Sequence, residues 1–226
     1  MTATSARVPV CVFAKPPVIG AAKTRLSPQI GALAAARLAQ AFFEDTWATV
    51  RALSWARPIL ATTTRDATAF GLPPDVELWD QGSGDLGARM ERILARAVAE
   101  AGRAIVLGAD LPGLPGHHLE VARMALANHD AVLGPADDGG FYLLGLARVP
   151  PGLLADLPWS SSETLHRTEQ RLRSAGLTTT RAPYWFDVDE PRDLVRLRSL
   201  LARHPVRAPR THAALSRLSS RTGGGV

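Results

Sequence analysis

Short, continuously apolar runs alternate with amphipathic segments along this chain, and no other feature constrains the fold more. The runs VPVCVFA (8–14) and AIVLGAD (104–110) are typical of strands buried on both faces of a parallel sheet. Similar strand-like runs occur at 57–63, 76–80, 131–136, 141–146 and 178–186, and helical periodicity occurs at 31–53, 86–98, 116–127, 161–175 and from 190 to 201. This order predicts an α/β fold, a three-layer sandwich with a mostly parallel sheet whose ligands bind at the carboxyl ends of the strands.

The charge distribution predicts one domain with a basic tail. Residues 203–226 contain five arginines and no acid, which leaves 21 basic and 21 acidic residues in 1–202. We expect a domain over 1–202 and a disordered tail over 203–226, with no specific nucleic acid as partner. The single cysteine, Cys11, excludes a disulfide framework, and no apolar run is long enough for a membrane span, so we expect a cytoplasmic protein with no membrane partner.

A loop after the first predicted strand contains both lysines of the chain. The segment FAKPPVIGAAKTRL (13–26) follows an apolar strand, where α/β folds place phosphate-binding turns. Small residues there would let a phosphate approach the backbone, and the basic residues would supply charge. Neither the Walker A spacing nor G-x-G-x-x-G is present, and the alternative is a pair of solvated lysines. The candidate nucleotide-binding residues of this loop are Lys15, Gly20, Ala21, Ala22, Lys23 and Arg25.

Acids at strand ends are candidate metal ligands. Asp110 ends the run 104–110, where a carboxylate either binds a divalent cation or caps the following turn. Asp187 and Asp189 are two residues apart in an extended segment, so we expect their side chains on one side of it. Such close carboxylates repel unless a cation or an arginine lies between them. Asp187 fits a ligand better, whereas Asp189 fits a ligand and a helix N-cap equally; the predicted metal is Mg²⁺ or Mn²⁺.

Two further segments combine acids with glycines. In GPADDGGFYLLG (134–145), the residues Asp137, Asp138, Gly139 and Gly140 either contact an acceptor or form an ordinary β-turn. In GSGDLGARM (82–90), Asp85 and Gly87 either contact a nucleotide at the start of a helix, or Asp85 simply caps that helix.

Six blocks carry a family resemblance: FAKPPVIGAAKTRLSP, GDLGARM, GADLPGLP, VLGPADDGGFYLLGL, PWSSSETL and WFDVDEPRDL. In this order they closely resemble the bacterial family described as rSAM/selenodomain-associated transferase 1, over about residues 8–200. That family is commonly labelled glycosyltransferase and belongs to the GT-A, nucleotide-diphospho-sugar transferase superfamily. The resemblance therefore implies a GT-A/Rossmann-like sandwich. Members often have threonine at Ser161, tyrosine at Phe141 and threonine at Glu190, and only the Ser161 difference concerns a possible acceptor contact.

The blocks AAKTRLSP, DLP and DVD also look like the guanylyltransferases that activate small phosphorylated acids in deazaflavin-cofactor synthesis. More distantly, they are similar to the molybdenum-cofactor guanylyltransferases. This resemblance implies that the basic loop holds a triphosphate and that the two acidic sites bind Mg²⁺ on either side of the reacting phosphorus.

We expect an enzyme, a metal-dependent transferase. The favoured reaction is nucleotidyl transfer from a nucleoside triphosphate to a small phosphorylated or phosphonate acceptor with release of pyrophosphate, in which Lys23, Arg25 and Asp110 are catalytic. The alternative is glycosyl transfer from a nucleotide sugar, for which Asp137 or Asp138 could activate an acceptor hydroxyl. A third possibility is a nucleotide-binding domain without turnover.

Overall fold

The structure is a computed structural model that describes residues 7–222, with side chains as far as residue 218. Its sheet has seven strands, in the spatial order β3-β2-β1-β4-β6-β5-β7. Only β6 runs antiparallel to its neighbours in this sheet, whereas the other pairs are parallel. The strands are β1 Val8–Phe13, β2 Ala56–Thr62, β3 Leu78–Asp80, β4 Ala104–Gly108, β5 Ala131–Pro135, β6 Phe141–Leu146 and β7 Thr179–Arg181.

Helices cover both faces of the sheet and make the three-layer α/β sandwich that the sequence predicts. They are α1 Ser27–Ile30, α2 Ala32–Arg51, α3 Leu86–Ala101, α4 Gly116–Ala125, α5 Thr164–Ser174, α6 Pro191–Arg203 and α7 Pro209–Thr222. In β1, Val10 and Val12 point toward the layer that contains α2, α4, α6 and α7, and Cys11 points toward the layer of α3 and α5. This alternation follows from the period of two in a strand, and it explains why the whole run is apolar.

Cys11 is a core residue. Its side chain is fully buried, and burial raises the pKa of the thiol above its ordinary value. The extended segment predicted at 178–186 forms a strand only at β7, and the helix predicted from 161 begins at Thr164.

The expected disordered tail is instead mostly helical, so that expectation is wrong for the described part of residues 203–226. Helix α7 packs against α2, and its Thr211 and Leu215 are buried. The carboxylate of Asp45 in α2, itself buried, accepts hydrogen bonds from the backbone N–H groups of Arg210 and Thr211, at 3.3 and 2.8 Å. Composition concealed this helix because its buried stripe is short and its other face is basic. Residues 223–226 lie outside the described part of the chain.

Within residues 7–222, no helix combines the length and apolar character that crossing a membrane requires.

Candidate active site

A cleft of about 570 Å³ opens at the carboxyl ends of β1 and β4. The loop after β1 forms one wall, and the residues after β3 and β4 form the floor together with Asp189, which precedes α6. Carboxyl ends of neighbouring parallel strands meet at one edge of a sheet, and this is why segments distant in sequence converge there. Its charged and amide-bearing lining residues are Lys15, Lys23, Arg25, Gln81, Arg89, Asp110 and Asp189.

Lys23 is the centre of this cleft. Its Nζ lies 2.7 Å from Oδ2 of Asp110 and 2.5 Å from Oδ1 of Asp189, and its side chain is only 5% exposed. Burial alone would lower the pKa of Lys23, but the net shift is upward because the two carboxylates stabilise the ammonium. The backbone of Lys23 has φ of 48°, a left-handed conformation that is unusual for a non-glycine residue. The sequence predicted both groups of charges but not this direct contact between them.

The loop around Asp110 is fixed by a side chain that the sequence analysis missed. The hydroxyl of Thr46 in α2 donates to the carbonyl of Ala109 at 3.1 Å and accepts from the N–H of Leu111 at 3.3 Å. These bonds hold the backbone on both sides of Asp110. No short motif marks Thr46, because its partners lie more than 60 residues away.

Asp187 and Asp189 have different surroundings. Burial, together with the charges of Asp189 and Asp138, raises the pKa of Asp187 to about 6. Asp189 pairs with Lys23 and does not cap α6, because the N-cap position belongs to Glu190. Of the two readings that the sequence allowed for Asp189, the cap is therefore wrong.

The other basic residues of the loop are exposed. The side chain of Arg25 is 69% exposed and lies 3.7 Å from Glu190, and Lys15 projects from the rim of the cleft. Ala21 and Ala22 line the cleft. Gly20 has φ of 84°, and a Cβ there would meet nothing within 4 Å, so the backbone conformation and not close approach accounts for glycine at this position.

Asp85 and Gly87 do not line the cleft. Asp85 is the N-cap of α3, since its carboxylate accepts from the N–H of Ala88 at 2.8 Å. Gly87 is buried, and a Cβ there would lie 2.2 Å from the carbonyl oxygen of Leu154 and 2.8 Å from the ring of Trp159. Close packing therefore explains Gly87, and the expected nucleotide contact of these two residues is not supported by their positions.

One turn further along α3, Arg89 does reach the cleft. Its guanidinium donates to the side-chain carbonyl of Gln81 at 3.1 Å, and the amide of Gln81 donates to the carbonyl of Ala61. Sequence reasoning placed the GDLGARM segment near a nucleotide but selected its acid and glycine rather than its arginine. The helical spacing of Arg89 from Leu86, which also lines the cleft, is the signal that could have identified it.

The turn between β5 and β6 lies beside this cleft. Asp137 pairs with Arg196 of α6, and Oδ1 of Asp138 accepts from the N–H of Gly140 at 2.8 Å. Gly139 has φ of 80° and packs against the backbone of Ser162. Ser161 Oγ accepts from the N–H of Glu163 at 3.2 Å, in the turn that leads into α5. Asp138 and Gly140 line a second, smaller cavity, whereas Ser161 lines neither.

The carboxylates of the cleft suit a cation that takes some of its ligands from the protein and the rest from a substrate. Among residues 7–222, no cluster of three or more acidic, histidine or cysteine side chains forms a closed metal site. Asp110 and Asp189 nevertheless both contact the Lys23 ammonium, so a small cation at that position would contact both carboxylates. Mg²⁺ in nucleotide enzymes is commonly held by one or two carboxylates with phosphate oxygens completing its shell, and these two side chains fit that pattern.

A bacterial family described as "Uncharacterized protein conserved in bacteria (DUF2064)" matches residues 46–161, just over half of the chain. The chain belongs to the DUF2064 family. The part that matches DUF2064 includes Thr46, Asp110 and the turn between β5 and β6, whereas the lysine loop and Asp189 lie outside it. A search of curated proteins finds no match.

Solved structures share the fold of this DUF2064 protein. A protein from Desulfovibrio desulfuricans G20, provisionally assigned as a nucleotide-diphospho-sugar transferase, is 29% identical with a TM-score of 0.86, over 94% of this chain and 95% of that chain. CMP:2-keto-3-deoxy-manno-octonic acid synthetase in complex with CTP is 13% identical with a TM-score of 0.55, over 88% and 99%. Rv0371c from Mycobacterium tuberculosis H37Rv in complex with manganese is 16% identical with a TM-score of 0.54, over 86% and 98%.

At their low identities, the last two structures show the fold alone. Together, the three confirm the expected GT-A-like α/β fold; the first is named as a nucleotide-diphospho-sugar transferase, and the second is named as a synthetase and has CTP bound. The DUF2064 match and the Desulfovibrio desulfuricans structure support the superfamily expected from the sequence, and not the narrower rSAM/selenodomain-associated family.

Proposed function

We propose that this protein is a metal-dependent transferase that binds a nucleotide in the cleft of Lys23, and that it transfers a nucleotidyl group from a nucleoside triphosphate to a small acceptor with release of pyrophosphate. The observation that carries this proposal is the meeting of a buried lysine with two carboxylates from different segments, Asp110 and Asp189, at the carboxyl edge of the sheet. The nucleotide substrates named for two structural relatives support the same class of ligand.

The cleft presents several cations to a polyphosphate. Lys15, Arg25 and Arg89 line it, and the first two are exposed and able to meet phosphate oxygens. Lys23 is held within contact of both acids, so it can neutralise charge at the point where a phosphate and the carboxylates meet. A triphosphate needs such cations beside its β and γ phosphates, where charge grows as pyrophosphate leaves.

Asp110 and Asp189 are the proposed metal ligands, with Asp187 as a further one. When bound, Mg²⁺ or Mn²⁺ would neutralise phosphate charge and orient the phosphates. Burial, followed by the charges of Asp189 and Asp138, raises the pKa of Asp187 to about 6, and a cation beside it would offset the repulsion among these carboxylates. The manganese complex of Rv0371c gives a precedent for a divalent cation in this fold.

Nucleotidyl transfer requires mainly positioning and charge neutralisation from the protein, because a phosphorylated acceptor already presents an anionic oxygen. Lys23 and Arg25 are the proposed groups at the leaving phosphates, and Gln81 and Arg89, which also line the cleft, would contact the nucleotide as well. A Ser-His-Asp or Cys-His arrangement is not needed for this step.

Glycosyl transfer from a nucleotide sugar is the second candidate. It is favoured by the carboxylate of Asp138, which lines the neighbouring cavity and could accept a proton from an acceptor hydroxyl. The Desulfovibrio desulfuricans protein, named as a nucleotide-diphospho-sugar transferase, supports the same reading.

A nucleotide panel distinguishes these reactions. Thermal unfolding is measured with Mg²⁺ and each of ATP, GTP, CTP and UTP, and then with UDP-, GDP- and dTDP-sugars, with EDTA as the matched control. We expect one triphosphate to stabilise the protein more than any nucleotide sugar, and to lose this effect in EDTA; a ligand at 100 times its Kd adds about 2.7 kcal/mol. Stabilisation by nucleotide sugars alone would contradict nucleotidyl transfer and would support glycosyl transfer instead.

A further inference from the structure

A second pocket of about 220 Å³ adjoins the nucleotide cleft. Phe13 and Leu86 line both cavities, so a molecule in the second pocket would lie directly beside one in the first. The pocket is smaller than the ~300–1,000 Å³ of sites that enclose drug-sized ligands. It has room for one ring or a compact alkyl group, and not for a complete nucleotide.

The walls of the second pocket are apolar and held in place by the surrounding packing. The rings of Phe141 and Trp159 meet edge to face with centroids 6.2 Å apart, and Met90 is buried behind them. Trp159 lies against Gly87, where a Cβ would come within 2.8 Å of the indole ring. Any side chain at position 87 would displace this wall, so the glycine keeps the ring in position.

The two cavities differ in the charge of their lining residues. No lysine or arginine within residues 7–222 lines the second pocket, and its one charged lining group is Asp138. The hydroxyl of Thr164 is engaged with the carbonyl groups of Pro158 and Ser161. Oδ1 of Asp138 is held by the N–H of Gly140, and its second oxygen accepts no hydrogen bond from the described residues. A hydroxyl donor in the pocket would therefore find an acceptor in this second carboxylate oxygen.

We infer that the second pocket holds the apolar part of the acceptor, a single aromatic ring or compact alkyl group whose hydroxyl-bearing end points toward Asp138. This inference rests on the proposed function, since it is the nucleotide in the first cleft that makes the neighbouring ligand an acceptor. A phosphate or carboxylate would meet no cation in the second pocket, so any anion of the acceptor belongs in the first cleft. A nucleobase fits less well, because most of its polar edge would face carbon atoms.

Benzyl alcohol and glycerol are suitable probes, since both carry hydroxyls but only the first carries a ring. Saturation-transfer NMR titrations of the full chain should show binding of benzyl alcohol and none of glycerol. Phe141→Leu should weaken the binding of benzyl alcohol by about 3- to 10-fold. This factor corresponds to the free energy that an aromatic pair contributes beyond its buried area. Leu86→Ala should weaken it as well, and this second variant changes a side chain at the rim that is 36% exposed.

Leu33→Ala is the matched control, because Leu33 is also an exposed leucine in the first turn of a helix but lines neither cavity. Affinities that are unchanged in both Phe141→Leu and Leu86→Ala would overturn the inference, and so would equal binding of glycerol. Displacement of benzyl alcohol by cytidine or guanosine would also overturn it, because the pocket would then be the base site. The proposed function fails separately, if no triphosphate or nucleotide sugar stabilises the protein.

Discussion

Lys23 contacts two carboxylates that are 79 positions apart in the sequence. Asp110 follows β4 and Asp189 precedes α6, and the two side chains are 41% and 47% exposed, whereas the lysine is almost completely buried. Because the acids remain in contact with water, the fold should tolerate loss of the lysine. What the loss removes is the cation that occupies the space between the acids.

Lys23→Met tests this role at the level of one residue. Without the ammonium, the nucleotide-free protein should bind Mn²⁺ more tightly, by about tenfold or more, because a positive charge no longer competes for the two carboxylates. Turnover should fall by ~10²–10³-fold, as for the loss of one preorganised donor. Lys15→Met is the matched control for Mn²⁺ binding without nucleotide, since it removes the other lysine of the loop from an exposed position. Unchanged Mn²⁺ affinity in Lys23→Met would show that lysine and metal do not share a site.

His118 is a buried histidine away from the cleft. Its Nδ1 lies 3.3 Å from the hydroxyl of Tyr142, and Trp185 packs edge-on against its ring. Burial, together with the nearby charges of His117 and Arg207, lowers the pKa of His118 to about 4. The unfolded chain therefore binds a proton on this residue at a higher pH, near its ordinary value of 6.5, than the folded protein does.

This difference predicts a pH effect on stability. The contribution of neutral His118 is fully present above pH 6.5 and is lost as the pH falls toward 4, with a slope of at most about 1.4 kcal/mol per pH unit. In His118→Gln, the free energy of unfolding from urea titrations should depend less steeply on pH over this window. His166→Gln, which changes an exposed histidine, should leave the wild-type slope. Identical slopes in all three proteins would contradict the assignment.

The residue-level site could be predicted only where a strand end identified it. Lys23 and Asp110 follow apolar strands, and the rule for ligands at carboxyl ends was sufficient to group them. For Asp85 and Gly87 the sequence left two alternatives open, because a helix N-terminus looks the same in sequence whether it binds a ligand or is simply capped and packed. The Lys23–Asp189 contact spans 166 positions, and no local pattern encodes such a distance.

At the scale of elements, helix α2 connects the C-terminal helix to the cleft. The carboxylate of Asp45 accepts hydrogen bonds from the first backbone N–H groups of α7. The next residue, Thr46, forms hydrogen bonds with the backbone on both sides of Asp110. The docking of α7 therefore lies one residue away from a contact that positions a proposed metal ligand.

Thr46→Val should disturb the Asp110 loop while nearly preserving side-chain shape. Loss of the hydroxyl leaves the N–H of Leu111 unpaired, which costs about 1–3 kcal/mol of stability. It should also weaken Mn²⁺ binding in the presence of nucleotide by about 10- to 100-fold, as for other groups that orient metal ligands. Thr46→Ser keeps the hydroxyl and should therefore bind Mn²⁺ as the wild type does. Thr49→Val removes a hydroxyl bonded within the same helix and should not weaken it. Equal Mn²⁺ affinities in Thr46→Val and Thr49→Val would exclude a positioning role.

Element prediction succeeded where burial dictated the pattern and failed where it did not. The continuous apolar runs of β1 and β4 marked the central strands, because both faces of these strands are covered. Helix α7 was missed because its buried positions as far as residue 218, Thr211 and Leu215, are few and lie among arginines and prolines. A short stripe of this kind becomes stable only through its contacts with α2, which the segment itself does not reveal.

For the whole molecule, the fold concentrates opposite charges at one edge of a seven-stranded sheet. The neighbouring second pocket is almost free of charge. The cleft of Lys23 is therefore suited to phosphates with a metal, and the second pocket is suited to the apolar part of an acceptor. The central claim is that a divalent cation at Asp110 joins the nucleotide to the protein.

Electron paramagnetic resonance of Mn²⁺ tests this claim most directly. Wild-type protein, Asp110→Asn and the exposed control Asp75→Asn are titrated with Mn²⁺ in the presence of the nucleotide that stabilises the protein most, and circular dichroism checks that each variant is folded. We predict that wild type and Asp75→Asn bind Mn²⁺ with the nucleotide, and that Asp110→Asn binds it at least tenfold more weakly, as expected for a lost ligand. Folded Asp110→Asn with the Mn²⁺ affinity of the wild type would contradict the account.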